Sequence, residues 1–168
     1  MGFKKTSELI AISFGLSESG PGVFTQEEVA LQLDVLNNEV AVILAIDLDV
    51  EAPDAIAAVN TRVTGAVSST SQTAMVGLAQ TNTLAQARTS IRAAGFVDGG
   101  VAIERMSNST PLGDLDYIGI IATNNFFAMV QGSNNVGVKN LSGRVWLYRA
   151  KADSATYAAL VQSEVLSA

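Results

Sequence analysis

The sequence predicts a mainly-β fold, with two antiparallel sheets packed face to face, one inserted helix and a short C-terminal helix. Three observations carry this expectation. Apolar and polar residues alternate at period two through much of the chain, as strands with one buried face require. Clusters of Gly, Asn, Asp and Ser separate the alternating runs. Val, Ile, Thr and aromatic residues fill those runs, and these types suit a pleated, half-buried surface. At 168 residues the chain reads as a single domain, 1–168, large enough to bury its own core without disulfides or metals. Residues 1–6 read as an N-terminal arm and 153–168 as a C-terminal helix and tail.

The first strand is expected at 7–16, ended by the turn-rich stretch 17–22. Val29, Leu31, Leu33 and Val35 then alternate with Ala30, Gln32 and Asp34. After Asn37 and Asn38, a favourable turn pair, Val40, Val42, Leu44, Ile46, Leu48 and Val50 occupy every second position. The opposite face reads Ala41, Ile43 and Ala45, then Asp47, Asp49 and Glu51. That strand is therefore expected to be buried on both faces at its start and on one face at its end, and Pro53 stops it. The two runs are expected to pair as a hairpin around 36–39. Further strands are expected at 59–67, 101–106, 115–122, 126–131 and 143–150, making eight, with turns at 68–71, 98–100, 107–113 and 132–135.

Two segments carry helical spacing. Leu84, Ala87, Ile91 and Ala94 share one side of a helix, Arg88 and Arg92 another, and Gly95 stands where a C-cap belongs. Asp153 is an N-cap for a helix through about Leu166, with Tyr157, Leu160, Val161, Glu164 and Val165 at helical intervals. That stripe must dock on the chain's own body or on a neighbour.

Composition narrows the function. Charged side chains make up 15% of the chain and apolar ones 48%, whereas an ordinary soluble domain carries roughly a quarter charged residues. So little charge suits either a membrane or large contacts with protein. The apolar run 40–46 ends at Asp47, and the run 118–130 is broken by Asn124 and Asn125, both short of the ~20 residues of a membrane helix. No secretory signal is expected either, since Glu8 interrupts the first apolar stretch and no small-x-small site follows before Gly20 and Pro21. Contacts with protein are the better reading, and they point to a building block rather than an enzyme.

The chain has no Cys and no His. Disulfides, zinc-thiolate sites and thiol nucleophiles are excluded, and a serine triad has no base to take its proton. Neither a Walker A lysine pattern nor a GxGxxG fingerprint is present, and no cofactor or small-molecule substrate is expected. A net charge of −6 argues against strong nucleic-acid binding. Lys4 and Lys5 are the only adjacent basic pair, read either as a solvated terminus or as an arm touching genome or membrane.

Alternation places Asp47, Asp49 and Glu51 on one strand face, about 6–7 Å apart. With Asp54 they are candidate ligands for a hard cation, and otherwise a solvated strand end that discourages edge pairing. No metal is assigned to them. The aromatics fall late in the chain. Phe126 and Phe127 are adjacent, so one should enter the core while the other meets solvent, a second sheet or another subunit. Trp146 and Tyr148 share a face with Arg144, opposite Val145 and Leu147, so this strand is covered on both faces. Core packing or a subunit contact explains these residues, and Phe126, Phe127, Trp146, Tyr148, Tyr157 and Val161 are the interface candidates.

The closing run 143–153 (Gly-Arg-Val-Trp-Leu-Tyr-Arg-Ala-Lys-Ala-Asp) is an aromatic-rich last strand leading straight into a helix. With the strand spacing and the composition, it resembles the single jelly-roll capsid proteins of icosahedral viruses. That resemblance implies an eight-stranded antiparallel jelly-roll β-sandwich, self-assembly into a shell, and residence in the virion. It implies copies of itself and other capsid proteins as partners, with no catalytic residues. The minimal Lys4-Lys5 arm would suit a shell lined by a membrane or by other proteins. Two other classes stay open. One is a carbohydrate- or ligand-binding β-sandwich module using Asp47, Asp49 and exposed aromatics, and the other is a fibre, pilus or appendage subunit.

Overall fold

The alternating runs become strands that assemble into two five-stranded antiparallel sheets. The computed structural model describes residues 3–95, 103–108 and 115–167. In the first sheet β1 (Phe3–Lys5) and β2 (Ile10–Ser17) both pair with β10 (Asn140–Ala152), which pairs in turn with β4 (Glu39–Val50), and β4 with β8 (Gly119–Ile121). The second sheet runs β3 (Thr25–Ala30), β9 (Asn125–Ser133), β5 (Thr61–Ser68), β6 (Thr83–Arg92) and β7 (Ile103–Asn108). A single α-helix among the described residues, α1 (Ser154–Ser167), follows β10.

The sheets bury alternate residues against each other. Ile43, Ile46, Val145 and Leu147 of the first meet Val67, Ala85 and Phe126 of the second, with Leu16, Val63, Val130 and Leu141 closing one end. Residues must be small where the sheets approach closely, and a Cβ on Gly65 would lie 2.6 Å from Leu141 Cδ1 of the facing sheet. Within the first sheet, Gly143 makes room for the ring of its cross-strand partner Phe14.

A bulge in β4 explains why that strand is apolar on both faces. The register passes from Trp146↔Ala45 to Leu147↔Ile43, leaving Leu44 without a partner. An extra residue reverses the side-chain alternation beyond it. Ala41 and Ile43 therefore share the inter-sheet core with Ile46 and Leu48, while Val40, Val42 and Leu44 point outward. There α1 covers them, laying Tyr157, Leu160 and Val161 over Val40, Val42, Ala150 and Ala152. Asp153 Oδ1 accepts the Thr156 N–H at 2.8 Å, the expected N-cap. Glu164, 8% exposed, accepts the N–H groups of Ala122 (2.9 Å) and Thr123 (3.1 Å), which tether the helix to the end of β8.

Several expectations are corrected. There is no hairpin around 36–39, because β3 lies in the second sheet against β9 and β4 in the first. Between them the chain crosses the sandwich. Leu31 and Leu33 stay buried, and their N–H groups are satisfied by the Asn124 carbonyl and side-chain oxygens instead of a ladder. Asn38 makes the turn in the left-handed region at φ 57°.

The inserted helix is β6. Ala85, Ala87 and Thr89 are buried while Arg88 and Arg92 are exposed, which is period two, and Gly95 sits at φ 94° beyond the strand. Residues 3–5 are no loose arm but a strand on the edge of β10, with Phe3 packed near α1. The described residues hold ten strands rather than eight. The turn expected at 98–100, most of that at 107–113 and the start of the strand expected at 101–106 lie outside the described residues.

Candidate functional surfaces

The outer face of the first sheet is half covered. Beyond the helix, Arg144 and Trp146 of β10 lie beside Asp47 and Asp49 of β4 and line a shallow groove of about 380 Å³. The Arg144 guanidinium stands 5.9 Å from the Trp146 ring, and its Nε donates to Ser13 Oγ at 3.1 Å. Such cation–π contacts contribute about 0.5–1 kcal/mol when exposed. Lys5 stands over Tyr148 at 5.3 Å, and Lys4 is exposed opposite Lys151.

The acidic trio does not converge. Asp47 and Asp49 are exposed, whereas Glu51 accepts the Asn140 N–H at 3.0 Å and faces Lys139 Nζ at 3.8 Å. Among the described residues no group of three acidic side chains is placed to hold a metal.

The interface candidates divide. Phe126 is 1% exposed and packs edge-on against Phe14, with ring centroids 5.7 Å apart, so it cannot meet another subunit. Phe127 turns to the outer face of the second sheet, where Met75 and Val76 of the β5–β6 connection cover it together with Met129. Tyr157 and Val161 are spent within the chain, on the first sheet. Trp146 and Tyr148 remain half-buried on the outer face, where a neighbour would reach them.

Two clusters escaped the sequence reading. At one end of the sandwich Lys139, 5% exposed, bonds Asp54 Oδ1 at 2.7 Å. Buried Glu18 accepts the backbone N–H groups of Gly132 and Lys139, joining the β2–β3 connection to the end of β9 and to the β9–β10 connection. The Lys139 ammonium, followed by the Val136 N–H at 2.8 Å, holds the Asp54 carboxyl below its ordinary range. Asp153 is held low by the Thr156 N–H that it caps. A depressed folded-state value gives stability that is complete above the ordinary carboxylate range and lost as the pH falls below it and through the lowered folded value. The melting temperature is therefore expected to fall progressively below about pH 5. In Asp54→Asn that decline is shallower, and thermal melts of both proteins at pH 7 and pH 3 check it.

The second cluster is basic. Arg62 of β5 and Arg88 and Arg92 of β6 share the outer face of the second sheet and line two adjoining hollows of about 330 and 460 Å³. The alternation Gln86, Arg88, Ser90, Arg92 is visible in the sequence, but it reads equally well at helical spacing. Arg62 joins it only through the β5–β6 register, which pairs it with Ser90. In comparisons with known proteins, no family model matches the chain and no curated protein is significantly similar to it.

Proposed function

We propose that the chain is a self-assembling structural protein, a single jelly-roll coat subunit of an icosahedral virion, and not an enzyme. The observation that carries the proposal is the strand order. β1 and β2 lie end to end along one side of β10, opposite residues 150–152 and 140–147, and count as one interrupted strand. β7 extends the second sheet at its edge. Counted in this way, the strand orders β1/β2–β10–β4–β8 and β3–β9–β5–β6 are what a double Greek-key jelly roll requires, and this supports the reading.

The surface supports the same reading. Leu36 is 92% exposed, Val136 78% and Leu78 65%, on a chain whose charged fraction is only 15%. Large apolar side chains left in water are covered in an assembly, at about 25 cal/mol per Å² of apolar area removed, offset by the cost of association. Many weak contacts closing on themselves then hold a shell together.

Light scattering on a sizing column, with negative-stain imaging, tests the proposal. Closed particles are expected. Filaments would favour an appendage subunit, and a monomer at high concentration would end the coat reading. Trp146→Ala is expected to lower the assembled fraction while the subunit's melting temperature moves little, because this indole lies on the outer face. Unchanged particle yield would remove Trp146 from the contact.

A further inference from the structure

Arg62, Arg88 and Arg92, three of the chain's ten Lys and Arg residues, lie together on the outer face of the second sheet, on a protein of net charge −6. Arg62 is the register partner of Ser90, and Arg88 and Arg92 lie two residues to either side of that serine. The three positions form a triangle, about 13 Å along β6 and about 5 Å across to β5. All three side chains are exposed, and none forms an ion pair among the described residues. Among the described residues no carboxylate lines either hollow. Like charges on neighbouring sheet positions repel one another.

We infer that this face binds an acidic polysaccharide through Arg62, Arg88 and Arg92. Guanidinium forks match sulfate and carboxylate groups in bidentate geometry. Between the charges the lining is hydroxyl and amide, from Ser90, Ser133, Asn134 and Gln131, which can donate to and accept from sugar hydroxyls. The spread of the cations exceeds the size of one sulfate or phosphate and suits a polymer segment. Among the described residues no aromatic ring lines the hollows, which disfavours single-stranded bases that bind by stacking. The β5–β6 connection bounds the site, with Met75 and Val76 forming one wall. The inference is independent of assembly and goes beyond the coat reading, and binding can be measured whatever the oligomeric state.

The test is a titration of the full chain at low salt with short chondroitin sulfate fragments. Uncharged dextran and an oligodeoxythymidine of matched charge serve as comparisons. Chondroitin sulfate is expected to bind, to weaken with added salt and to outcompete both. The triple variant Arg62→Gln, Arg88→Gln, Arg92→Gln should lose affinity at least about tenfold with its melting temperature kept, as the loss of several charge-assisted contacts implies. Lys4→Gln with Lys5→Gln should bind as the parent does. Equal binding by the triple variant, no preference over dextran, or tighter binding of the oligonucleotide would each overturn the inference.

Discussion

Replacing Phe126 by Ala is expected to destabilise the subunit by about 3–5 kcal/mol, the cost of removing a large ring from a site that cannot collapse. The ring is 1% exposed and lies among Leu31, Leu33, Ile43 and Leu147, with Phe14 edge-on to it. At roughly 2–4 °C per kcal/mol for a chain of this size, the melting temperature falls by about 6 °C or more. Phe126→Leu keeps most of the volume and should lose far less. Differential scanning calorimetry on both variants decides the matter. If Phe126→Ala melts with the parent, this ring does not join the two sheets.

Glu164→Gln is expected to cost about 2–3 kcal/mol, although it removes only a charge. One carboxylate oxygen accepts the Ala122 N–H and the other the Thr123 N–H. The glutamine amide keeps one acceptor and turns an NH2 group towards the second backbone donor, so that N–H loses its partner. The helix then holds the sheet by one hydrogen bond and by Tyr157, Leu160 and Val161, and it lifts more readily from Val40 and Val42. A lower urea midpoint with increased binding of a hydrophobic dye is the expected result. A parent-like midpoint would mean that the carboxylate does not anchor the helix.

The sequence carried the fold class because alternation is a local signal. In β4 it foretold the change from two buried faces to one at Asp47, and Asp153 announced α1. It failed where two periods coincide. Ala85, Ala87, Arg88, Ile91 and Arg92 fit a helix as well as a strand, and pairing with β5 selected the strand. It failed again where a backbone irregularity acts. The Leu44 bulge reverses the faces of β4, and no residue type there marks it. The crossing after Ala30 looks like a hairpin because Leu31 and Leu33 stay buried after the ladder has ended.

The candidate surfaces were less legible. Lys139 meets Asp54 across 85 residues, and Arg62 joins Arg88 only through sheet register. Such partnerships are made by topology and leave no spacing to read. Trp146 and Tyr148 were placed on their face correctly because they lie within one regular strand.

The central place of β10 has a consequence for how the chain comes into being. This strand follows β1, β2 and β4 in the chain, yet all three find a partner in it. Until it arrives, β1, β2 and one edge of β4 lack this ladder, and the pairings of β10 reach back across about 90 to 150 residues. Folding of that kind is slow and exposes sticky intermediates. The first sheet therefore cannot close before β10 is in place, because β1 and β2 pair with no other strand among the described residues.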